Sequence, residues 1–433
     1  MRPVLYLALL LIGLSLIQPP LAWADKPPLP PPRNLSLTDA YFLALERSET
    51  LGISRQDIKI AEAQYWQAIS AILPRIDFLV TERTQNNAGG AIGGGDASGT
   101  RKDLFQGRLR ISQTIFNGFR EFNIGAALQA EKRSQQALYQ RSRQLLYLDT
   151  SDLFYQILSL EEDLKVLQRI DLTFRERHAE LTERVTLGRS RKSELLAAET
   201  EQADNTATME EVRGLLGASR ELMAFLIGLP SAQWQLQDTQ TLPSAQQLET
   251  YLWHSGARPD LQAALETQTS AQRQVSADKG SFWPTISAEA NWLALEEPER
   301  AQEWNIVLTA EIPVFDGALR VNTLKESQAR LRSTELSFTR LRRLAESEVR
   351  QNYNNFTASA RQWIKLKEAV RISQENVQAQ REDYQLGRAS NLDVLSSILV
   401  ITASNVVSPA WSRRPRSTSS RCKWQQVFLP LRP

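Results

Sequence analysis

The stretch WNIVLTAEI, residues 304–312, is followed by Phe315-Asp316-Gly317 and then by a helical pattern that continues to Leu386. Within this stretch apolar side chains occupy every second position, and a period of two indicates a half-buried β-strand. Between residues 318 and 386 there is no glycine or proline, and apolar residues recur at helical spacing. We therefore predict a strand at about 304–315 and one very long helix at 318–386.

The same pattern occurs earlier in the chain. Phe116-Asn117-Gly118 closes another alternating run, and Leu187-Gly188-Arg189-Ser190 ends another stretch without helix breakers, as Leu386-Gly387-Arg388-Ala389-Ser390 does later. Phe116 and Leu187 are 71 positions apart, and so are Phe315 and Leu386. Equal spacing between matched landmarks indicates an internal duplication of one unit, which contains a helix, two strands and a long helix.

The duplication predicts the organisation of the chain. The first repeat spans 34–228, beginning with a helix that Asn34 or Ser36 caps and that ends before Pro74. Its remaining elements are strands at about 75–84 and 104–116, a long helix at 119–187 and a return helix at 191–228. A linker at 229–247 leads to the second repeat at 248–404, with strands at about 285–294 and 304–315. The glycine-rich tract between the first two strands predicts an exposed hairpin loop.

The beginning of the chain has the pattern of an export signal. Arg2 precedes an apolar run from Val4 to Ile17, and Ala22-Trp23-Ala24 has the small-x-small form of a cleavage site. We predict a signal peptide at 1–24, followed by a proline-rich leader at 25–33. An uncleaved membrane anchor is the alternative interpretation.

The end of the chain does not repeat the first half. The helical pattern of the second repeat stops near Ser404, and residues 405–433 contain prolines, several arginines and a Ser/Thr run. Our hypothesis for this atypical tail is an altered reading frame or a degraded gene end, and a genuine basic tail is the alternative. A missing second return helix would put assembly in doubt.

Composition argues against several classes of function. The 51 basic and 49 acidic residues are balanced, so we expect no nucleic-acid partner. A single cysteine, Cys422, excludes an intramolecular disulfide and a multi-cysteine metal site. His178 and His254 are far apart in sequence, and we expect surface or packing roles for both. With no catalytic pair, metal-ligand cluster or cofactor motif, we expect no enzyme activity, no cofactor and no metal.

The predicted elements require partners. Two strand hairpins are too few to close a barrel, because the smallest outer-membrane barrels have roughly eight strands. Helices of this length are on the order of 100 Å long and need neighbours that cover their apolar stripes. The chain is thus mainly α with a small β part, and we expect an oligomer with a shared β-barrel and a projecting helical bundle.

Together, these features resemble the TolC-like outer-membrane efflux protein family. The resemblance covers residues 34 to about 403 and rests on the duplicated unit, Pro74 and Pro284 before the strands, the two strand-exit motifs, Arg258-Pro259-Asp260-Leu261 and the segment from Tyr384 to Leu395. It implies an outer-membrane homotrimer with a twelve-stranded transmembrane β-barrel, continued by a long periplasmic α-helical coiled-coil barrel.

The resemblance also implies a function and partners. Such a chain would be the exit duct of a tripartite efflux or type I secretion system. Its partners would be a periplasmic adaptor, an inner-membrane transporter of the RND or ABC type, and outer membrane lipid. A periplasmic coiled-coil adaptor or scaffold without a pore is the alternative.

Site residues follow from the same resemblance. The adaptor-docking tips would be Leu187, Gly188, Arg189 and Ser190 in the first repeat, and Leu386, Gly387, Arg388 and Ser390 in the second. Tyr384 and Asp393 match gate positions of the family, whereas Ser396 and Ala389 stand where its members have a second aspartate and an arginine. A ring of Asp393 would favour cations. Alternatively, Asp393 is a first-turn acid stabilised by the helix dipole.

Overall fold

The computed structural model describes residues 34–85, 102–239, 246–297 and 304–398. The predicted signal peptide, the leader, the glycine-rich tract and the atypical tail lie outside these residues, and so does the end of the second repeat. Among the described residues, no helix has both the length and the apolar composition needed to cross a membrane.

The two repeats have the same order of elements. The first contains β1 (Asn34–Leu35), α1 (Leu37–Arg47), α2 (Glu49–Ser70), β2 (Arg75–Gln85), β3 (Lys102–Phe116), α3 (Arg120–Thr186) and α4 (Lys192–Ile227). The second contains β4 (Gln235–Leu236), α5 (Leu248–Ser255), α6 (Pro259–Gly280), β5 (Thr285–Glu297), β6 (Trp304–Glu311) and α7 (Leu319–Gln385). Residues 391–398 are again helical.

The predicted first helix is in fact two helices. Ser36 forms a capping box with Asp39 at the start of α1, and Ser48 ends that helix. The Ser48 hydroxyl then accepts a hydrogen bond from the Leu51 amide and caps α2. The sequence did not predict this break, because apolar residues continue at helical spacing across Ser48. A serine inside a helical pattern does not by itself indicate a cap.

The segment expected to be only a linker also has structure. Within it, β4 pairs in parallel with β1, so Asn34 lies in a strand while Ser36 provides the cap. Trp234 is buried beside this pair, and the Arg220 guanidinium lies 4.7 Å from its ring centroid. The segment thereby ties the end of the first repeat to the start of the described chain.

Several boundaries differ from the predictions. β5 extends to Glu297, and β6 ends at Glu311 rather than near 315. The long helices α3 and α7 begin one residue later than predicted, because Phe119 and Ala318 have left-handed φ values of 62° and 66°. Both residues follow a glycine of positive φ, so each turn from strand to helix uses two consecutive left-handed residues.

The duplication is visible in the helix lengths and in the strand register. Helices α2 and α6 each have 22 residues, and α3 and α7 each have 67. In the hairpins, Arg75 pairs with Ser112, and Thr285 pairs with Glu311. Adding 210 to the number of the first partner and 199 to that of the second converts one pair into the other. The two shifts differ by 11 (210 − 199), so the first repeat has 11 more residues than the second between the paired strands, in the hairpin loop.

The four long strands form one antiparallel sheet in the order β2-β3-β5-β6. The helices pack below it around α3, which carries most of the buried residues and contacts α1, α2, α4 and α6. At about 1.5 Å per residue, α3 and α7 are each on the order of 100 Å long. The sheet therefore lies at one end of two long helices, and the hairpin tips lie at the other end.

Candidate functional site

One face of the sheet is apolar across all four strands. The backbone register places Ile76, Ile111, Ala290 and Ile306 in one row. The next row contains Phe78, Leu109, Trp292 and Trp304. Paired residues of antiparallel strands share a face, and the isoleucines and tryptophans of these rows are largely exposed. This chain therefore leaves a broad apolar surface uncovered.

The opposite face is polar. Its corresponding row contains Asp77, Arg110, Asn291 and Asn305. The Arg110 guanidinium and the Asp77 carboxylate are 3.2 Å apart, and the Asn291 amide donates to the Asn305 side-chain oxygen at 3.2 Å. A sheet with one apolar and one hydrogen-bonded polar face is suited to a boundary between lipid and water.

The two hairpin tips have the same backbone geometry. Gly188 and Gly387 adopt left-handed φ values of 70° and 73° after the long helices. The Arg189 amide donates to the Arg184 carbonyl, and the Arg388 amide to the Asp383 carbonyl, both at 2.8 Å. These bonds form a Schellman motif, which satisfies the last helical carbonyls and favours glycine. Leu187 and Leu386, the residues before the glycines, are 59% and 65% exposed.

The return segments begin differently at the two tips. At the first, the Ser190 hydroxyl donates to Glu194 Oε2 at 2.8 Å. At the second, Ser390 and Asp393 form a capping box, because Asp393 Oδ2 accepts from the Ser390 hydroxyl at 2.7 Å and from its amide at 2.8 Å. These hydrogen bonds lower the pKa of Asp393. The contacts of Asp393 within this chain are thus those of a helix cap.

Tyr384 lies between two arginines of the first hairpin. The guanidinium carbons of Arg177 and Arg184 are 4.1 Å and 4.8 Å from its ring centroid. Arg177 is only 7% exposed, and Glu180 forms ion pairs with both arginines. A buried guanidinium against an aromatic ring is a favourable cation–π arrangement. Tyr384 is therefore held by the first hairpin rather than free at the second tip.

Asn391 completes the connection between the hairpins. Arg177 Nε and Nη2 donate to Asn391 Oδ1 at 2.9 Å and 2.6 Å, and Asn391 Nδ2 donates to the Glu194 carbonyl at 3.4 Å. Arg177, Tyr384 and Asn391 together are called the tip clamp below. Through this clamp the second tip is bonded to both helices of the first hairpin.

An apolar cluster lies behind the tip clamp. It joins one face of α3 to the helix at 391–398 through Val166, Ile170, Phe174, Val394, Leu395 and Ile398. Tyr384 packs against this cluster and lines a cleft of about 170 Å³ beside it. The tips therefore have a small apolar core of their own.

The structure places the eight predicted tip residues at two turns of equal geometry, and it places Tyr384 and Asp393 beside the second turn. Sequence reasoning missed Arg177, Arg184, Glu180 and Asn391. Asn391 closely follows the tip glycine Gly387, so its position in the sequence could have indicated a role at the tip. The other three lie inside a long, highly charged helix, where nothing distinguishes them from surface residues. Among the described residues, no group of His, Cys, Asp and Glu could hold a metal ion.

Comparison with known proteins identifies relatives. The family model described as outer membrane efflux protein matches residues 40–229 and 256–397, which is well over half of the chain. Outer membrane protein TolC of Salmonella enteritidis is 22% identical over 380 residues, covering 84% of this chain and 76% of that protein.

Solved structures share the fold. A membrane protein from Pseudomonas aeruginosa superposes with a TM-score of 0.83 at 16% identity, covering 90% of this chain and 93% of that one. The CmeC outer membrane channel of Campylobacter jejuni gives 0.81 at 16% identity, with coverage of 90% and 85%.

The family match bears on one alternative raised by the sequence. A periplasmic adaptor or scaffold is not supported, because the matched family consists of outer membrane efflux proteins. The family is described as outer membrane efflux protein, and the structure from Campylobacter jejuni is an outer membrane channel. The chain belongs to the outer membrane efflux protein family, and its location is the outer membrane.

Proposed function

We propose that this protein is the exit duct of a tripartite efflux or type I secretion system and that three copies form one channel. The observation that carries the proposal is the two-faced sheet, whose apolar face would contact lipid and whose polar face would line an aqueous lumen. Strands β2 and β6 have no neighbour on their outer sides within the described chain, so closure needs strands from other copies.

The hairpin tips are the proposed docking surface for a periplasmic adaptor, which would connect the duct to an inner-membrane transporter of the RND or ABC type. Two exposed leucines and two arginines lie on paired turns at the end opposite the sheet. Rigid turns that present apolar and charged groups together suit recognition by another coiled coil. We also propose that Tyr384 and Asp393 narrow the channel entrance at this end.

The test is the mass, by light scattering in detergent, of the protein extracted from the outer-membrane fraction. We expect three chains per particle. Two variants at neighbouring positions probe the faces: Ile306→Arg lies on the apolar face, and Val307→Arg lies on the polar face beside Glu289. A charge facing lipid costs about 2–4 kcal/mol near the bilayer centre. Ile306→Arg should therefore reduce the outer-membrane fraction strongly, and Val307→Arg should leave it nearly unchanged.

Two results would contradict the proposal. The first is a monomer in detergent together with a soluble periplasmic fraction. The second is equal membrane yield for both variants, which would mean that the two faces of the sheet do not meet different solvents.

A further inference from the structure

The two places where a strand turns into a long helix differ in their side chains, although their backbones match. The first corner lies between the end of α2, the end of β3 and the start of α3, and the second corner lies at the equivalent ends of α6, β6 and α7. Phe119 and Ala318 occupy the same left-handed position of the two turns, with φ values of 62° and 66°. The turn therefore does not require an aromatic side chain, and the phenylalanine of the first corner needs another explanation.

At the second corner an arginine connects the long helix to the turn after α6. Arg320 Nε donates to Asp316 Oδ2 at 2.6 Å, and Arg320 Nη1 donates to the Ser281 carbonyl at 3.4 Å. By the shifts of 199 and 210 positions, Glu121 and Ala71 are the equivalents of Arg320 and Ser281. An ionised carboxylate cannot donate a hydrogen bond to a carbonyl. The first corner therefore lacks this connection.

The first corner instead contains a cavity of about 330 Å³. Its apolar walls include Ala71, Ile115, Phe116, Phe119 and Phe122. The ring centroids of Phe116 and Phe119 are 5.4 Å apart, and those of Phe119 and Phe122 are 6.4 Å apart. Phe119 and Phe122 are 62% and 61% exposed. Because an apolar cavity of about 150 Å³ can hold benzene, this space is large enough for part of a hydrocarbon chain.

Two polar side chains that line the cavity have opposite states. Gln113 Nε2 donates to the Ile72 carbonyl at 2.6 Å and to the Thr114 carbonyl at 3.0 Å, so both of its amide hydrogens are used. Glu121 is half-buried and has no ion-pair partner within the ranges that the structure describes. A partly buried carboxylate is stabilised by a cation. The cavity thus combines apolar walls with one carboxylate that can accept a positive group.

The cavity belongs to the apolar side of the sheet. Gln113 pairs with Ala288, two positions beyond the row that contains Ile111, and side chains two apart on a strand share a face. After a register shift, Phe116 pairs with Ile286, which lies on the same face as Ala288. The cavity therefore continues the apolar surface at the end of the sheet nearest the helices. Whatever covers that surface also reaches the cavity.

We propose that the first corner binds one phospholipid from the leaflet on the helical side of the membrane. Part of an acyl chain lies between Phe116, Phe119 and Phe122, and an ammonium headgroup pairs with Glu121. The inference rests on the proposed function, because it requires the apolar face of the sheet to meet lipid. A phospholipid with an amine headgroup matches both features of the site, since it carries a hydrocarbon chain for the rings and a cation for the carboxylate.

Photolabelling of the full chain in vesicles tests the inference. The vesicles contain equal parts of phosphatidylethanolamine and phosphatidylglycerol, with a trace of phosphatidylethanolamine that carries a diazirine in its acyl chain. After illumination, mass spectrometry of peptides should find several-fold more label at residues 115–122 than at the equivalent residues 314–321. The second corner is the matched control within the same molecule, because general contact with lipid would label both corners.

Variants separate the two parts of the site. Phe119→Ala combined with Phe122→Val gives the first corner the residues that the second corner has at these positions, so the turn should tolerate them. Label at residues 115–122 should then fall to the level of the second corner. Glu121→Gln should lower the label from the ethanolamine probe but not from a phosphatidylglycerol probe with the same acyl chain. Val321→Ala, in the second corner, should leave the label at the first corner unchanged.

Several results would contradict the inference while the duct remains. Equal labelling of both corners in a protein that light scattering shows to be a trimer would mean contact with bulk lipid only. No label at either corner of such a trimer would mean that another copy covers the cavity. Label that depends on the phenylalanines but not on Glu121 would exclude the pairing with the headgroup. If Ile306→Arg and Val307→Arg instead give equal membrane yield, the proposed function is wrong, and the inference is wrong with it.

Discussion

The two repeats have equal backbones but unequal surroundings, and the difference is clearest at the start of their middle helices. Position 48 of the first repeat corresponds to position 258 of the second. In the first repeat Ser48 caps α2 with its hydroxyl. In the second, Arg258 is buried and joins Asp260 at 2.6 Å and Glu348 at 2.7 Å, while Arg141 lies 3.6 Å from Asp260.

The same backbone position thus has a local cap in one repeat and a buried charge network in the other. The network connects α6 to both long helices, whereas the Ser48 hydroxyl caps its own helix by accepting a hydrogen bond from the Leu51 amide. Burial opposes ionisation of Asp260, but the hydrogen bonds from Arg258 and the charge of Arg141 outweigh it and lower the pKa of that carboxyl. The two repeats therefore share the same backbone conformation at this position. The side chains differ because each repeat has different neighbours there.

The largest effect is expected at the strand-exit glycines. Gly118→Ala places a Cβ 2.2 Å from the Gly280 carbonyl oxygen, and neither backbone can move away without separating the start of α3 from the end of α6. Gly317→Ala meets no atom within 4 Å and adds only the strain of a left-handed alanine, about 1–2 kcal/mol. Thermal unfolding of dissociated chains should show loss of the fold for Gly118→Ala and a modest shift for Gly317→Ala.

The same two variants also test the proposed assembly of three copies. If Gly317→Ala is tolerated by single chains but weakens the oligomer, Gly317 has a neighbour in another copy. Equal tolerance of both variants in dissociated chains would contradict the tight crossing of Gly118 and Gly280.

The next largest effect is expected at the matched positions 48 and 258. Arg258→Ala leaves Asp260 and Glu348 without their main partner, and breaking a buried pair in this way costs about 3–5 kcal/mol. Ser48→Ala removes one cap and should cost about 1 kcal/mol. Denaturant unfolding of both variants measures the difference. Equal losses would show that the buried network contributes no more than an ordinary helix cap.

The smallest effect is expected at the second tip. Asp393→Asn weakens the capping box with Ser390, so hydrogen exchange should accelerate in residues 391–398 and remain unchanged in α4, whose first turn has no such box. In the unmodified protein, the protection of residues 391–398 relative to the intrinsic exchange rate should fall as the pH falls through the lowered pKa of Asp393, because the ionised carboxylate is the stronger acceptor in the cap.

The same variant tests the proposed gate. A smaller cation preference of Asp393→Asn channels in planar bilayers would support a role in the entrance. Faster exchange with unchanged selectivity would leave Asp393 as a helix cap alone.

The elements that depend on local pattern could be predicted from the sequence. Alternation over residues 304–312 predicted a strand, breaker-free helical spacing predicted α3 and α7, and the matched landmarks revealed the duplication. Glycine after each long helix marked the tips, because only a residue without Cβ adopts the left-handed turn readily.

Contacts between residues that are distant in sequence could not be predicted, because they depend on how the elements pack. Arg177 and Asn391 are separated by 214 positions, yet they form the tip clamp, and no periodicity distinguishes Arg177 from the exposed arginines of the same helix. The pairing of β1 with β4 and the crossing of Gly118 with Gly280 likewise join segments that are far apart in the chain. Spacing in the sequence specifies local backbone and exposed faces, whereas contacts between faces arise only when the helices are packed together.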